Sequence, residues 1–103
     1  MGNYVKVINK SDLANGEKKT VFAGGKRLMI ANVGGEFFAI DDTCTHKGCS
    51  LGTEGKLTGS TVTCGCHGGQ FNVVTGKVIA PPPMTDETSY TVKTEGDDVM
   101  VLV

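Results

Sequence analysis

The residues able to do chemistry fall in two short arms, Cys44-Thr45-His46 and Cys64-Gly65-Cys66-His67, which read C-x-H and C-x-x-H. Each arm offers a thiol and an imidazole, so two arms brought together place two sulfur and two nitrogen donors around one point. Such donors are ligands for a metal. The segment from Lys47 to Thr63 between them is long enough for a loop, a strand and a return, so the arms can be neighbouring loops of one sheet. Zinc accepts two cysteines and two histidines, but its usual arms pair cysteine with cysteine and histidine with histidine. The mixed arms point instead to a binuclear iron-sulfur centre in which two imidazoles replace two thiolates on one iron. A four-thiolate cluster of the plant type fails on spacing: Cys44 and Cys49 suit its first two ligands, but the next would fall at Gly52. Zinc and a buried structural thiol cluster are the alternatives.

The runs CTHKGC, from Cys44 to Cys49, and CGCHGGQF, from Cys64 to Phe71, resemble the two cluster loops of Rieske proteins. The resemblance implies one 2Fe-2S cluster, with Cys44 and Cys64 on one iron and His46 and His67 on the other. It leaves Cys49 and Cys66 over. In the Rieske proteins of cytochrome bc complexes, cysteines at these positions form a disulfide that ties the loops, so the resemblance implies a Cys49–Cys66 bridge. Many soluble Rieske ferredoxins lack both cysteines, and two free thiols are the alternative in a reducing compartment.

Other residues acquire roles from the same resemblance. Gly48, Gly68 and Gly69 keep side chains away, so that backbone N–H groups can approach the cluster sulfurs and raise the potential. In the bc-complex relatives a serine two residues after the second histidine and a tyrosine four after it add hydroxyl donors. Here Gly69 and Phe71 stand at those places, a donor set similar to that of ferredoxins. Leu51 ends the first loop, and Lys47, beside His46, borders the surface where electrons leave. Pro81-Pro82-Pro83 is stiff because each ring fixes φ. The resemblance makes it, with Pro82 at its centre, the proline loop (80–84) that covers the cluster; a ligand for a proline-reading module is the alternative.

The whole chain sets the bounds. Its 103 residues suit one domain, 1–103, with cluster loops 44–51 and 64–71. Ten Lys and Arg against 11 Asp and Glu give a formal net charge of −1, which provides no basic field for nucleic acid. No apolar run approaches the ~20 residues of a membrane helix, and the start, Met1 to Lys6, has no signal-like pattern. A soluble, monomeric, cytoplasmic protein without direct membrane insertion is expected. Both histidines are assigned as ligands and no serine or cysteine has an evident activator, so a carrier is expected rather than an enzyme.

The positioning elements read as small antiparallel β structure. Tyr4 to Ile8 is β-branched and apolar, followed by a helical turn through Asp12, Leu13 and Ala14 with Ser11 as its cap. Lys18 to Ala23, Lys26 to Val33 and Glu36 to Asp41, separated by Gly24-Gly25 and Gly34-Gly35, read as a three-strand meander. In the middle strand Leu28 and Ile30 share one face, with Met29, Ala31 and Val33 on the other, so both faces should be buried. Phe37 and Phe38 should each fill one apolar layer, and Asp41 and Asp42 read as turn residues. Gln70 to Asn72 and Lys77 to Ile79 flank a turn at Thr75-Gly76, and Tyr90 to Glu95 with Val99 to Val103 make a closing hairpin. Met84 and Met100 read as packing residues. Periodicity yields only small antiparallel β; the Rieske-type sandwich with a two-loop cluster-binding subdomain is what the resemblance adds.

The implied function is one-electron transfer by a soluble Rieske-type ferredoxin, reduced by a reductase and donating to an oxygenase or reductase. A soluble Rieske component of a respiratory quinol-oxidising complex and a zinc-bound interaction module are the alternatives.

Overall fold

The computed structural model describes residues 3–43, 49–65, 68–80 and 86–103. Its strands are β1 (Tyr4–Asn9), β2 (Lys18–Ala23), β3 (Lys26–Val33), β4 (Glu36–Asp41), β5 (Lys56–Thr58), β6 (Thr61–Thr63), β7 (Gln70–Asn72), β8 (Val78–Ala80), β9 (Ser89–Tyr90), β10 (Val92–Glu95) and β11 (Asp98–Leu102). One short helix, α1 (Leu51–Glu54), lies between β4 and β5.

Three antiparallel sheets result, in the orders β1-β11-β10, β2-β3-β4-β9 and β5-β6-β7-β8. The glycine pairs at 24–25 and 34–35 all take positive φ, which lets β2, β3 and β4 turn back directly on one another. The central strand is buried on both faces, as its sequence requires. Leu28 and Ile30 enter an upper core with Ile8, Leu13, Val21, Val99 and Val101. Met29 and Ala31 enter a lower core with Ile40, Leu51, Val62, Cys64, Phe71 and Val73. Phe37 packs on the first and Phe38 on the second, so the alternating reading of that pair holds. At roughly 25 cal/mol per Å² of apolar surface, each fully buried leucine or isoleucine adds about 1.5–3 kcal/mol.

Three local expectations need correcting. The turn after β1 is a 3-10 turn at Lys10–Asp12, two residues earlier than predicted, and Asp12 rather than Ser11 satisfies a free amide, accepting from the Asn9 N–H at 3.0 Å. Tyr90 does not open the closing hairpin: β9 pairs with β4, and the hairpin proper is β10 with β11. Asp42 is no turn residue on the surface but is fully buried. Two elements were not named in the sequence, α1 and the β5–β6 hairpin; both occupy the segment between the arms.

Candidate metal centre

The sequence enters the second arm from β6, in the sheet β5-β6-β7-β8, and the first arm from the end of β4, in the sheet β2-β3-β4-β9. Cys64 directly follows β6 and is 2% exposed, packed in the lower core. Its backbone N–H donates to the Gly69 carbonyl at 2.7 Å, and its own carbonyl accepts from the Gly68 N–H at 2.9 Å. The second loop is thereby pinched shut at its base before β7 begins. Gly68 takes φ +75°, and a side chain there would meet nothing within 4 Å. Its glycine is needed for backbone conformation, and its amide is engaged with the Cys64 carbonyl. Gly69 is buried at the same neck.

The first loop is closed in a different way. Thr43 and Ser50 form an isolated antiparallel bridge, and the Leu51 N–H donates to the Asp42 carbonyl at 2.7 Å. Ser50 then caps α1, its hydroxyl accepting from the Thr53 N–H at 3.2 Å. Beneath the neck, the Asp42 carboxylate accepts from the Thr20 hydroxyl at 2.9 Å, the Ser50 hydroxyl at 2.6 Å and the Gly52 N–H at 2.7 Å. It also pairs with the Arg27 guanidinium, with Nε at 2.9 Å from Oδ2. Lys18 extends from β2 to donate to the Gly52 carbonyl at 2.7 Å. Burial pulls the Lys18 ammonium below its ordinary pKa, and the nearby Asp42 charge opposes that shift.

Sequence reasoning missed Asp42, Thr20, Arg27 and Ser50. One signal was present: the alternation that buries Phe38 and Ile40 on the lower face of β4 continues to Asp42, two residues further on. A serine directly before Leu51 was also a helix-start signal.

Two close approaches hold α1 against its neighbours. A Cβ on Gly52 would collide with the Thr20 hydroxyl, and a Cβ on Gly65 would collide with the Glu54 carbonyl. The helix thus leans on β2 at one point and supports the second loop at the other. Of the predicted site residues, Cys49, Leu51, Cys64 and Phe71 gather in or against one apolar cluster, with Leu51 and Phe71 fully buried. Cys44, His46, Lys47, Gly48, Cys66, His67 and Pro82, like Met84, lie outside the described residues.

The necks of both loops therefore rise from a single hydrophobic floor. The donor set suits an iron-sulfur group held between them: one thiol is already buried at a neck, and each intervening run carries a cysteine and a histidine. Residues 3–102 match the model of the Rieske [2Fe-2S] domain. The chain belongs to the Rieske [2Fe-2S] family. That membership implies one Rieske-type 2Fe-2S cluster.

This Rieske chain is 43% identical to the ferredoxin component of biphenyl 2,3-dioxygenase from Rhodococcus jostii (strain RHA1), over 93% of its own length and 89% of the relative's. It is 35% identical to the ferredoxin component of the naphthalene 1,2-dioxygenase system of Pseudomonas putida, over 95% and 93%. Among solved structures it superposes at TM-score 0.89 and 36% identity on a chain in the complex of reduced oxygenase and oxidized ferredoxin in carbazole 1,9a-dioxygenase, covering 95% of this chain and 91% of that one. The ferredoxin of Sphingomonas yanoikuyae B1 gives TM-score 0.89 at 31% identity, covering 96% and 97%. These relatives are named as ferredoxin components rather than as the oxygenases they serve. Among the described residues, no helix is long and apolar enough to cross a membrane.

Proposed function

We propose that this protein is a soluble, monomeric one-electron carrier of the cytoplasm, reduced by a reductase and delivering its electron to the terminal oxygenase of a dioxygenase that acts on an aromatic compound. The observation that carries this reading is end-to-end likeness to dioxygenase ferredoxin components, in sequence and in fold. The chain would act as one Rieske domain over 1–103, with cluster loops 44–51 and 64–71 and the proline loop 80–84.

Cys44, Cys64, His46 and His67 would hold the cluster. When bound, it supplies a one-electron couple, which in Rieske centres lies at roughly −150 to +300 mV. The chain's own part is to hold the ligands still and dry on one side. Cys64 sits in an apolar floor with Leu51 and Phe71 fully buried, so water is excluded from beneath the arms. A Cys49–Cys66 disulfide is part of the same reading, because Cys49 packs against that floor at the return of the first loop. It would tie the two loops together.

The test is reconstitution with iron and sulfide, followed by stopped-flow mixing of the reduced protein with a dioxygenase terminal oxygenase. A Rieske-type paramagnetic resonance and single-electron oxidation by the oxygenase are expected. A colourless protein that retains only zinc would overturn the proposal.

A further inference from the structure

Asp42 carries a fully buried charge a short way below the first loop, and its partners come from both ends of that loop. On the outgoing side, one Arg27 guanidinium spans two residues: Nε meets the Asp42 carboxylate at 2.9 Å, and Nη2 donates to the Thr43 hydroxyl at 2.9 Å. On the returning side, Asp42 takes the Ser50 hydroxyl and the Gly52 N–H with its carboxylate, and the Leu51 N–H with its carbonyl. The ends of the segment that carries Cys44 and His46 are therefore fastened to each other through one residue, and through Arg27 and Thr20 to the sheet beneath.

Stability alone is a poor reason for such an arrangement. The buried Asp42 carboxylate surrenders hydration that its attraction to the exposed Arg27 guanidinium only partly returns, and well-packed apolar groups in place of such a charge are often as stable or more so. What a fully satisfied buried network does provide is a single defined geometry, because any displacement strands a charge or a donor away from water. The geometry fixed here is the neck of a ligand-bearing loop. The Lys18 ammonium, donating to the Gly52 carbonyl, is a further tie between the return segment and β2.

We propose that Asp42, with Arg27 and Ser50, is a positioning group for the first ligand arm, latching the loop neck so that the arm keeps its bound group and presents one ligand geometry. The proposal rests on the reading that Cys44 and His46 are ligands. It assigns Asp42 no contact with the cluster and no proton transfer.

The experiment compares the reconstituted wild type with Asp42→Asn, Ser50→Ala and Ser50→Thr, and with Val99→Ala as a control. Val99 is fully buried in the upper core, away from the neck, so its truncation lowers stability without touching the latch. Cluster lifetime is read from bleaching of the visible absorption at fixed chelator concentration, well below the unfolding temperature. The ligand field is read from the paramagnetic resonance g-values, and neck opening from amide hydrogen exchange at Leu51 and Gly52.

Losing a hydrogen bond to a charged group should shorten the cluster lifetime roughly tenfold. Asp42→Asn and Ser50→Ala should both do this, with faster exchange at Leu51 and Gly52 and a shifted or broadened resonance. Ser50→Thr, which keeps the hydroxyl, should restore the wild-type values, and Val99→Ala should lower Tm while leaving lifetime and resonance unchanged. Wild-type lifetimes and spectra in Asp42→Asn and Ser50→Ala would overturn the proposal, as would an equal loss in Val99→Ala. A wild type without a Rieske resonance would instead defeat the functional reading itself, so the two failures are separable.

Discussion

The Tyr90 hydroxyl donates to an Asp41 carboxylate oxygen at 2.6 Å, tying the two-residue strand β9 to the end of β4. Such a short strand has little ladder of its own, and this side-chain bond adds to the packing of Tyr90 on the upper core. Burial, the bond to Asp41 and the charges of Asp41 and Glu87, in that order, push the Tyr90 phenol up to about 12. The folded state therefore holds this proton more tightly than the unfolded chain. Stability from this source is complete below pH 10 and falls as pH rises from about 10 towards 12, since the unfolded state releases the proton first. Alkaline titration should show a phenolate step near 12 that Tyr90→Phe removes. The same substitution should cost about 1 kcal/mol in chemical denaturation at neutral pH.

How much of this could be read before folding differs by residue. The meander β2-β3-β4 was legible because Gly24-Gly25 and Gly34-Gly35 mark its turns and because Leu28 to Val33 are apolar on both faces. The family was legible from the runs Cys44 to Cys49 and Cys64 to Phe71, which carry the resemblance. The latch was not, because Thr20, Arg27, Asp42 and Ser50 are far apart in sequence and each is an ordinary surface residue type. Tyr90 was misplaced because its β-prone neighbours continue without a break, whereas pairing with Ala39 is a tertiary choice that local pattern does not encode.

The ligand assignment makes an electrochemical prediction. His46→Cys exchanges a neutral donor for an anionic one, so the oxidised state gains relative to the reduced state and the potential should fall. At 59 mV per tenfold change for a one-electron couple, a fall of at least about 100 mV is expected. Protein-film voltammetry and paramagnetic resonance check it; an unchanged spectrum and potential would refute His46 as a ligand.

The proposed bridge is checked by counting thiols. Intact protein should present no reactive Cys49 or Cys66, and a Cys49→Ser, Cys66→Ser double variant should lose its cluster several-fold faster while retaining its fold. Mass spectrometry after alkylation without reductant reads the pairing, and two alkylated cysteines at these positions would exclude it.

Phe71 is fully buried in the same apolar cluster as Cys64, with Val62 opposite it on β6. No hydroxyl is available there to draw charge from a ligand sulfur, and Gly69 offers none either, so the wild-type potential should fall in the lower half of the Rieske span. Phe71→Tyr should raise it by roughly 60 mV or more if the added donor bonds sulfur, since such a bond favours the reduced, more negative state by over 1 kcal/mol. Gly69→Ser should act in the same direction. A wild-type potential near the top of the span, unmoved by either change, would reverse this ranking.

Lys47 follows His46 directly and supplies a cation at the arm. Lys47→Glu should slow electron transfer to an acidic partner several-fold at low salt and flatten or invert its salt dependence. Identical rates for both forms across salt concentrations would remove Lys47 from the docking surface.

The strand β3 gives Leu28 and Ile30 to one core and Met29 and Ala31 to the other. The two halves of the molecule consequently share a fate: opening either core unseats the strand on which the other is built. Heat should melt them together in one transition, and a reporter placed at Val99, in the upper core, would sense damage begun beside Cys64 in the lower one. For an electron carrier that must meet and leave its partners, the shared strand would pass a disturbance in one core on to the other.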